Sequence, residues 1–251
     1  MHNYIIKYLF QSNFSAPVKE KLTQGGKVLD VACGPGTWLL ELASNYKESK
    51  FFGLDIKPVF PQEIKPSNLE FIKADMFDGL PFHDNEFDFT HIESVVYILT
   101  RNQWDFVFSE LIRVTKPGGY IEITDLYLKI NDKSLTFYKL YEGLYKSCLR
   151  RNVDINLIYN LDSILKLHQN IEPIRRIEKN FIFGPNGEEA GLIYQEVATL
   201  FLSTKMAIKD LSAEIGISEE EYKNMVRNLK EELKLTHSAE GCVIRFWTQK
   251  I

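Results

Sequence analysis

Short apolar runs alternate with stretches of helical periodicity along most of the chain. The runs are rich in β-branched and aromatic residues, which is typical of strands, whereas the stretches between them place apolar residues three or four positions apart. Strands that alternate with helices form βαβ units, and βαβ units build a parallel sheet. The pattern predicts seven strands, at residues 28–31, 50–56, 68–75, 87–93, 120–126, 174–183 and 242–249.

Helical periodicity fills most of the intervals. The helix expected from Ser218 has Glu221 three residues later, which is the spacing of a capping box. Two helices are therefore expected between the last two strands. The first helical pattern begins abruptly at His2, as it would in a chain that lacks an N-terminal segment. The predicted helices lie at 2–10, from about 37, at 104–114, 134–149, 161–168 and 188–210, and from 218.

Composition excludes several classes of protein. The chain has 251 residues, of which 45% are hydrophobic and 25% charged, and these values are ordinary for a globular protein. A formal net charge of −4 argues against nucleic acid as the main partner. The three cysteines, Cys33, Cys148 and Cys242, lack metal-ligand spacing, so no metal site is expected. With no signal peptide and no long apolar run, we expect no membrane partner and a cytoplasmic or nuclear location.

Candidate chemistry begins with the stretch VLDVACGPGTWLLEL, which predicts a strand, a glycine turn and a helix. Gly34 and Gly36 allow a ligand to approach the backbone closely, because glycine has no Cβ. The start of the helix presents free N–H groups toward the same place. This is the geometry of a nucleotide-type site.

Two ligands use such a turn, and three residues separate them. The dinucleotide fingerprint G-x-G-x-x-G would require glycine where Leu39 stands. Pro35 offers no N–H to a pyrophosphate. Asp30 adds a negative charge, which repels a diphosphate but suits the ammonium and sulfonium groups of S-adenosylmethionine (SAM). The turn therefore favours SAM over NAD.

Acidic residues also end the next strands. Asp55 follows Gly36 at the spacing at which a carboxylate can hold a ribose diol, a feature that fits NAD and SAM equally. Asp75 ends the third strand and Glu93 ends the fourth. These groups are expected to meet at the carboxyl edge of the sheet.

The combined pattern resembles the class I SAM-dependent methyltransferases. The segment D-x-A-C-G-P-G resembles their motif I, D-x-G-x-G-x-G, with Ala32 at the first glycine position, and the segments FFGLDI, NLEFIKADMF and SELIRVTKPGGYIEITDL follow in the family's order. The tryptophan of GPGTW, the proline-rich loop after FFGLDI and the start NLEF resemble a fungal branch. That branch contains regulators of secondary metabolism and is described as similar to trans-aconitate methyltransferases.

The resemblance implies an α/β, Rossmann-like class I fold: a seven-stranded, mostly parallel sheet with helices on both faces and a helical insertion before the last strand. It implies a single domain over residues 1–251. Within it we expect a helical lead-in at 1–26, a SAM-binding core at 27–184, a helical cap at 185–239 and a closing strand at 240–251.

The resemblance also assigns candidate site residues. Glu93 would lie beside the transferred methyl group, and SAM and its product S-adenosylhomocysteine (SAH) would be held by three groups of residues. The methionine part would contact Asp30, Ala32, Cys33, Gly34, Gly36 and Trp38, the ribose and adenine Asp55 and Ile56, and the adenine Asp75 and Met76.

An acceptor that must lose a proton would need a base. His91 and Glu93 are the candidate catalytic residues, although His91 also fits a packed core histidine. His168 and His237 are expected to be solvated. A substrate pocket is expected from Tyr8, Tyr97, Tyr141 and Tyr145, although tyrosines at such spacing also pack in cores.

The leading hypothesis is transfer of a methyl group from SAM to a small molecule, at oxygen, nitrogen or a carboxyl group, by in-line displacement. A SAM-binding regulatory or scaffold protein, or a protein methyltransferase linked to secondary metabolism, is the alternative and would bring a protein partner. An NAD-dependent oxidoreductase is the third hypothesis.

Overall fold

Seven strands form one mixed sheet in the order β3-β2-β1-β4-β5-β7-β6 in the computed structural model, which describes residues 2–130 and 132–251. Strands β1 to β5 run parallel, and β7 lies antiparallel between β5 and β6. This confirms the predicted class I arrangement. The strands are β1 (Lys27–Val31), β2 (Lys50–Asp55), β3 (Leu69–Lys73), β4 (Phe87–Glu93), β5 (Thr115–Ile130), β6 (Arg175–Ile182) and β7 (Ala239–Gln249).

The helices of the described residues follow the apolar periodicity. Thr100 and Gln103 form a capping box at α4, and Ser218 and Glu221 form the predicted one at α9. The helices are α1 (His2–Phe10), α2 (Lys19–Thr23), α3 (Thr37–Asn45), α4 (Arg101–Val114), α5 (Thr136–Arg150), α6 (Leu161–Leu165), α7 (Glu188–Leu202), α8 (Lys205–Ile215) and α9 (Glu219–Leu235).

Two helix predictions were wrong in extent. The helix expected at 188–210 is broken after Leu202, because Thr204 has an extended backbone and its hydroxyl caps α8 by accepting from the N–H of Ala207. Three helices rather than two therefore separate β6 from β7. The helix expected at 161–168 ends at Leu165 and continues a 3₁₀ helix at Ile155–Asn160.

Helices cover both faces of the sheet. Val28 of β1 packs with Trp38 and Leu39 of α3 on one face, whereas Leu29 packs with α4 on the other. Consecutive side chains of a strand point to opposite faces, so a strand covered on both faces is apolar almost throughout.

A further apolar cluster lies beyond the parallel strands. It joins Ile130 of β5 and Val243 of β7 to the helices α1, α5, α7, α8 and α9. Of these helices, α7, α8 and α9 lie within residues 185–239, where a helical cap was predicted. No helix within the described residues is long and apolar enough to cross a membrane.

Candidate functional site

The loop that follows β1 bends through three residues with left-handed backbone: Ala32 (φ 58°), Gly34 (φ 54°) and Gly36 (φ 71°). A Cβ on Gly36 would collide with the ring of Phe71, so packing requires glycine there. A Cβ on Gly34 would meet nothing within 4 Å, so the backbone of Gly34 faces open space. The left-handed backbone of Ala32 destabilises the fold by about 1–2 kcal/mol. The loop therefore leaves an approach to the main chain at Gly34.

Two carboxylates border this approach at the ends of β2 and β3. Asp55 accepts hydrogen bonds from the backbone N–H groups of Gly34 and Lys57, both at 2.8 Å. Asp75 accepts from the N–H of Phe77 at 2.9 Å. A carboxylate oxygen accepts more than one hydrogen bond, so both groups keep capacity for a ligand hydroxyl or amine.

Apolar surface lies beside these carboxylates. Ile56 is 54% exposed and Phe77 is 37% exposed, whereas Met76 is buried. Exposed apolar side chains next to hydrogen-bond acceptors suit a flat heterocycle that carries donors. The two carboxylates and the exposed apolar side chains beside them therefore fit the adenosine part of SAM.

A buried polar row crosses the sheet beneath the loop. Asp30 of β1, His91 of β4 and Glu122 of β5 are in register on neighbouring strands. The His91 Nδ1 lies 2.8 Å from Asp30 Oδ1, and the His91 ring stacks on Trp38 with centroids 4.1 Å apart. Burial lowers the pKa of His91, but the carboxylates of Asp30, Glu93 and Glu122 together outweigh burial, and the net direction is upward.

Glu93 continues this network at the end of β4. Its Oε2 lies 3.9 Å from His91 Nε2 and has no hydrogen-bond partner among the described residues. Burial raises the pKa of Glu93 to about 7, although His91 opposes the rise. A carboxyl group of this kind can accept a proton near neutral pH. His91 itself is only 1% exposed, so it can act on a ligand only through a neighbour such as Glu93.

Part of the lead-in segment, residues 12–16, is hydrogen-bonded to buried side chains of the sheet. Glu122 Oε2 accepts from the N–H groups of Ser15 and Ala16, both at 2.7 Å. Arg245 of β7 donates to the Ser12 carbonyl at 3.1 Å, and its Nε lies 3.5 Å from Glu122 Oε1. Both charged side chains are almost completely buried. The pair therefore holds residues 12–16 against the sheet.

Trp38 also helps to hold residues 12–16 against the sheet. Its indole N–H donates to the Asn13 carbonyl at 2.9 Å, and its side chain is 4% exposed. The side chain of Trp38 thus lies in the core between His91 and the lead-in segment. Because this side chain is buried, the predicted contact of Trp38 with the methionine part of SAM would be made by its backbone N–H, at the start of α3.

A cavity of about 250 Å³ lies beside the end of β4, between β5, α5 and α7. Of the four tyrosines predicted to form a substrate pocket, Tyr97 and Tyr141 line this cavity, together with Asp125 and Ser94. Tyr145 stacks on Tyr141 without lining the cavity, and Tyr8 lies in a separate hollow with Thr37 and Glu41. The four tyrosines therefore do not share one pocket.

The two other histidines considered as bases, His168 and His237, do not line this cavity. The expectation that His168 is solvated was wrong: its side chain is 13% exposed, packs on Phe108 and lies 3.0 Å from Asp105 Oδ1. His237 is exposed. Among the described residues, no cluster of His, Cys, Asp and Glu could hold a metal ion.

Comparison with known proteins places this geometry in a family. Residues 28–119 match the model described as a methyltransferase domain. Methyltransferase str2 from Strobilurus tenacellus is 24% identical over 238 residues, which cover 92% of this chain and 84% of that protein. Residues 28–119 therefore form a methyltransferase domain, as the resemblance predicted.

The secondary metabolism regulator LAE1 from Cochliobolus heterostrophus is also similar to this methyltransferase. It is 28% identical over 109 residues, which cover 43% of this chain and 34% of the regulator. The similarity confirms the resemblance to the fungal branch. The chain spans between about half and two thirds of the length of two other curated methyltransferases that it matches.

A solved structure shows the same fold. The phosphoethanolamine N-methyltransferase 2 of Haemonchus contortus, in complex with phosphomonomethylethanolamine and SAH, aligns with a TM-score of 0.57 at 17% identity. The alignment covers 98% of this chain and 56% of that one.

Sequence reasoning missed three charged residues of this methyltransferase. Asp125 lies near the end of the predicted fifth strand, in the segment YIEITDL, and carried the same signal as the acids that end the four preceding predicted strands. Glu122 and Arg245 stand within apolar strands, where a charge signals a buried partner. No local pattern indicates that these two residues meet, because they are far apart along the chain.

Proposed function

We propose that this methyltransferase transfers a methyl group from SAM to a small-molecule acceptor. The observation that carries the proposal is that the loop after β1 and a cavity at the end of β4 lie at the same edge of the sheet, because β1 and β4 are neighbouring parallel strands. The loop with open Gly34 and the carboxylates of Asp55 and Asp75 lie at the carboxyl edge of the sheet. Ser94, which follows Glu93 directly, lines the adjoining cavity. A donor and an acceptor could thus meet at the end of β4.

Each part of the site has a physical role in the proposed reaction. SAM supplies a methyl group already activated on a sulfonium, so alignment and exclusion of water are the main tasks of the protein. The free N–H groups at the start of α3 and Asp55 orient the donor. The fastened segment at residues 12–16 keeps water from the buried row. Glu93 is placed to accept a proton from an acceptor that must lose one.

Calorimetric titration with SAM, SAH and NAD tests the proposal. We expect micromolar binding of SAM and SAH and no binding of NAD. Binding of NAD alone would instead support an oxidoreductase. A protein that binds neither SAM nor SAH would refute the proposed function.

A regulatory protein that binds SAM without transferring methyl groups is the second candidate, and the similarity to LAE1 favours it. Such a protein would act through a protein partner. Binding of SAM without methylation of any acceptor in a broad chemical panel, together with capture of a defined partner, would support this candidate. The presence of an apolar cavity beside the donor site favours the enzyme.

A further inference from the structure

The side chains that line the cavity beside β4 restrict the chemical class of methyl acceptor that it can bind. Aromatic and aliphatic side chains form nearly all of its wall, including Phe137, Phe183 and Phe201. None of the described residues that line it is Lys, Arg or His. A buried carboxylate or phosphate would find no positive partner there, and an unpaired buried anion is very costly.

Negative charge is concentrated at the polar end of the same cavity. Asp125 is 1% exposed and lines it, and its carboxylate accepts from the N–H groups of Val95, Val96 and Leu126 at 2.7, 2.7 and 2.8 Å. These three bonds fix the orientation of the carboxylate. Its fourth lone-pair position remains for a further donor.

Glu93 lies close to the same end. Burial and then the negative charges of Glu93 and Asp125 raise the pKa of Tyr194, which lines the cavity. Tyr194 therefore lies within the electrostatic field of both carboxyl groups. Burial raises the pKa of Asp125 to about 7, although the three backbone bonds oppose the rise. The polar end thus offers acceptors of hydrogen bonds and protons close to Ser94.

We infer that the cavity takes a ring-bearing apolar acceptor whose hydroxyl or amine group donates a hydrogen bond to Asp125, and that it rejects carboxylates and phosphates. The inference rests on the proposed function. It removes the carboxyl acceptor from the three classes considered above. It also separates this chain from trans-aconitate methyltransferases, whose namesake acceptor is a carboxylate.

The reaction balances with groups already named. The acceptor oxygen or nitrogen uses a lone pair to form the new bond to the methyl carbon. The bond from that carbon to sulfur breaks, and its electron pair stays on sulfur, which yields SAH. The proton of the hydroxyl or amine passes to the Asp125 carboxylate, which holds the acceptor, in place of Glu93.

Matched naphthalene probes test the inference by calorimetry, with and without saturating SAH. The probes are 2-naphthol, 2-(aminomethyl)naphthalene and 2-naphthoate, which differ in the polar group. We expect the alcohol or the amine to bind at least about tenfold more tightly than the carboxylate. Whichever of the alcohol and the amine binds more tightly shows whether a hydroxyl or an amine donates the hydrogen bond to Asp125. Equal or tighter binding of 2-naphthoate, or no binding of any probe, would overturn the inference.

Two tryptophan substitutions on α7 locate the binding. Ala198 lines the cavity, whereas Leu200, two residues further along, is 62% exposed and does not line it. We expect Ala198→Trp to weaken binding of the preferred probe at least about tenfold by filling the cavity, and Leu200→Trp to leave it unchanged. Equal probe binding in the two variants would refute the assignment of the cavity.

Failure of the inference can be distinguished from failure of the proposed function. SAH affinity should be the same in both variants and the unsubstituted chain. A protein that discriminates the probes but binds no SAM or SAH would refute the proposed function, and with it the reaction, while the chemical selectivity of the cavity stood. A protein that binds SAM and SAH but prefers 2-naphthoate would refute only the inference.

Discussion

Replacing Glu93 with glutamine should stabilise the protein at alkaline pH. Burial raises the pKa of the Glu93 carboxyl from 4.5 to about 7, and Oε2 finds no hydrogen-bond partner among the described residues. A rise of this size corresponds to about 3 kcal/mol of unfolding free energy. Glutamine keeps the shape of the side chain and carries no charge.

The sign follows from proton linkage. Because the folded pKa is raised, the contribution of Glu93 is fully present below pH 4.5 and is lost as pH rises through about 7. We therefore expect Glu93→Gln to be more stable than the unsubstituted chain by less than about 1 kcal/mol at pH 5 and by about 2–3 kcal/mol at pH 8. The pKa of Asp125 is also raised, so Glu93→Gln should still lose part of its unfolding free energy as pH rises.

Urea denaturation at the two pH values measures this effect. Glu63→Gln serves as the matched control, because Glu63 is exposed on the loop after β2. The control should show no stabilisation that grows with pH. An equal effect of Glu93→Gln at pH 5 and pH 8, or a loss of stability at pH 8, would refute the argument from burial.

Three further substitutions test other parts of the site. Ala32→Gly should raise stability by about 1 kcal/mol in urea denaturation, because glycine adopts the left-handed backbone without strain; a lower stability would contradict this. Asp55→Ala should weaken SAM binding by about 1–3 kcal/mol, and unchanged affinity in calorimetry would exclude Asp55 as a ribose ligand. Arg245→Met should cost about 3–5 kcal/mol of stability, because it leaves Glu122 buried without its cation. It should also speed proteolysis near Ser15, and a variant that resists protease like the unsubstituted chain would show that the pair does not fasten the lead-in segment.

Local patterns were sufficient for the sheet and for the loop after β1. The apolar run that ends in Asp30 and the glycines that follow it specify a strand and a turn through contacts between near neighbours. The same holds for Ser218 and Glu221, whose side chains cap the helix that they begin. The break at Thr204 was missed, because the apolar residues on either side of it continue without interruption.

The roles of the site residues remain predictions, and their surroundings depended on the tertiary fold. The sequence alone marked Asp30, Asp55, Asp75 and Glu93 as acids at strand ends, since that pattern is local. It did not show that Tyr8 would lie apart from Tyr97, or that Tyr145 would pack behind Tyr141.

Only the tertiary structure paired Arg245 with Glu122 and placed Asp125 at the end of an apolar cavity. These pairings join strands and helices that are distant along the chain, and the order β5-β7-β6 brings them together. Burial and the electrostatic field at a carboxyl group depend on everything packed around it. The sequence by itself therefore determined the methyltransferase motifs, the sheet and the strand-end acids. Packing alone decided which buried acids have a pKa near 7 and that an apolar cavity lies beside them.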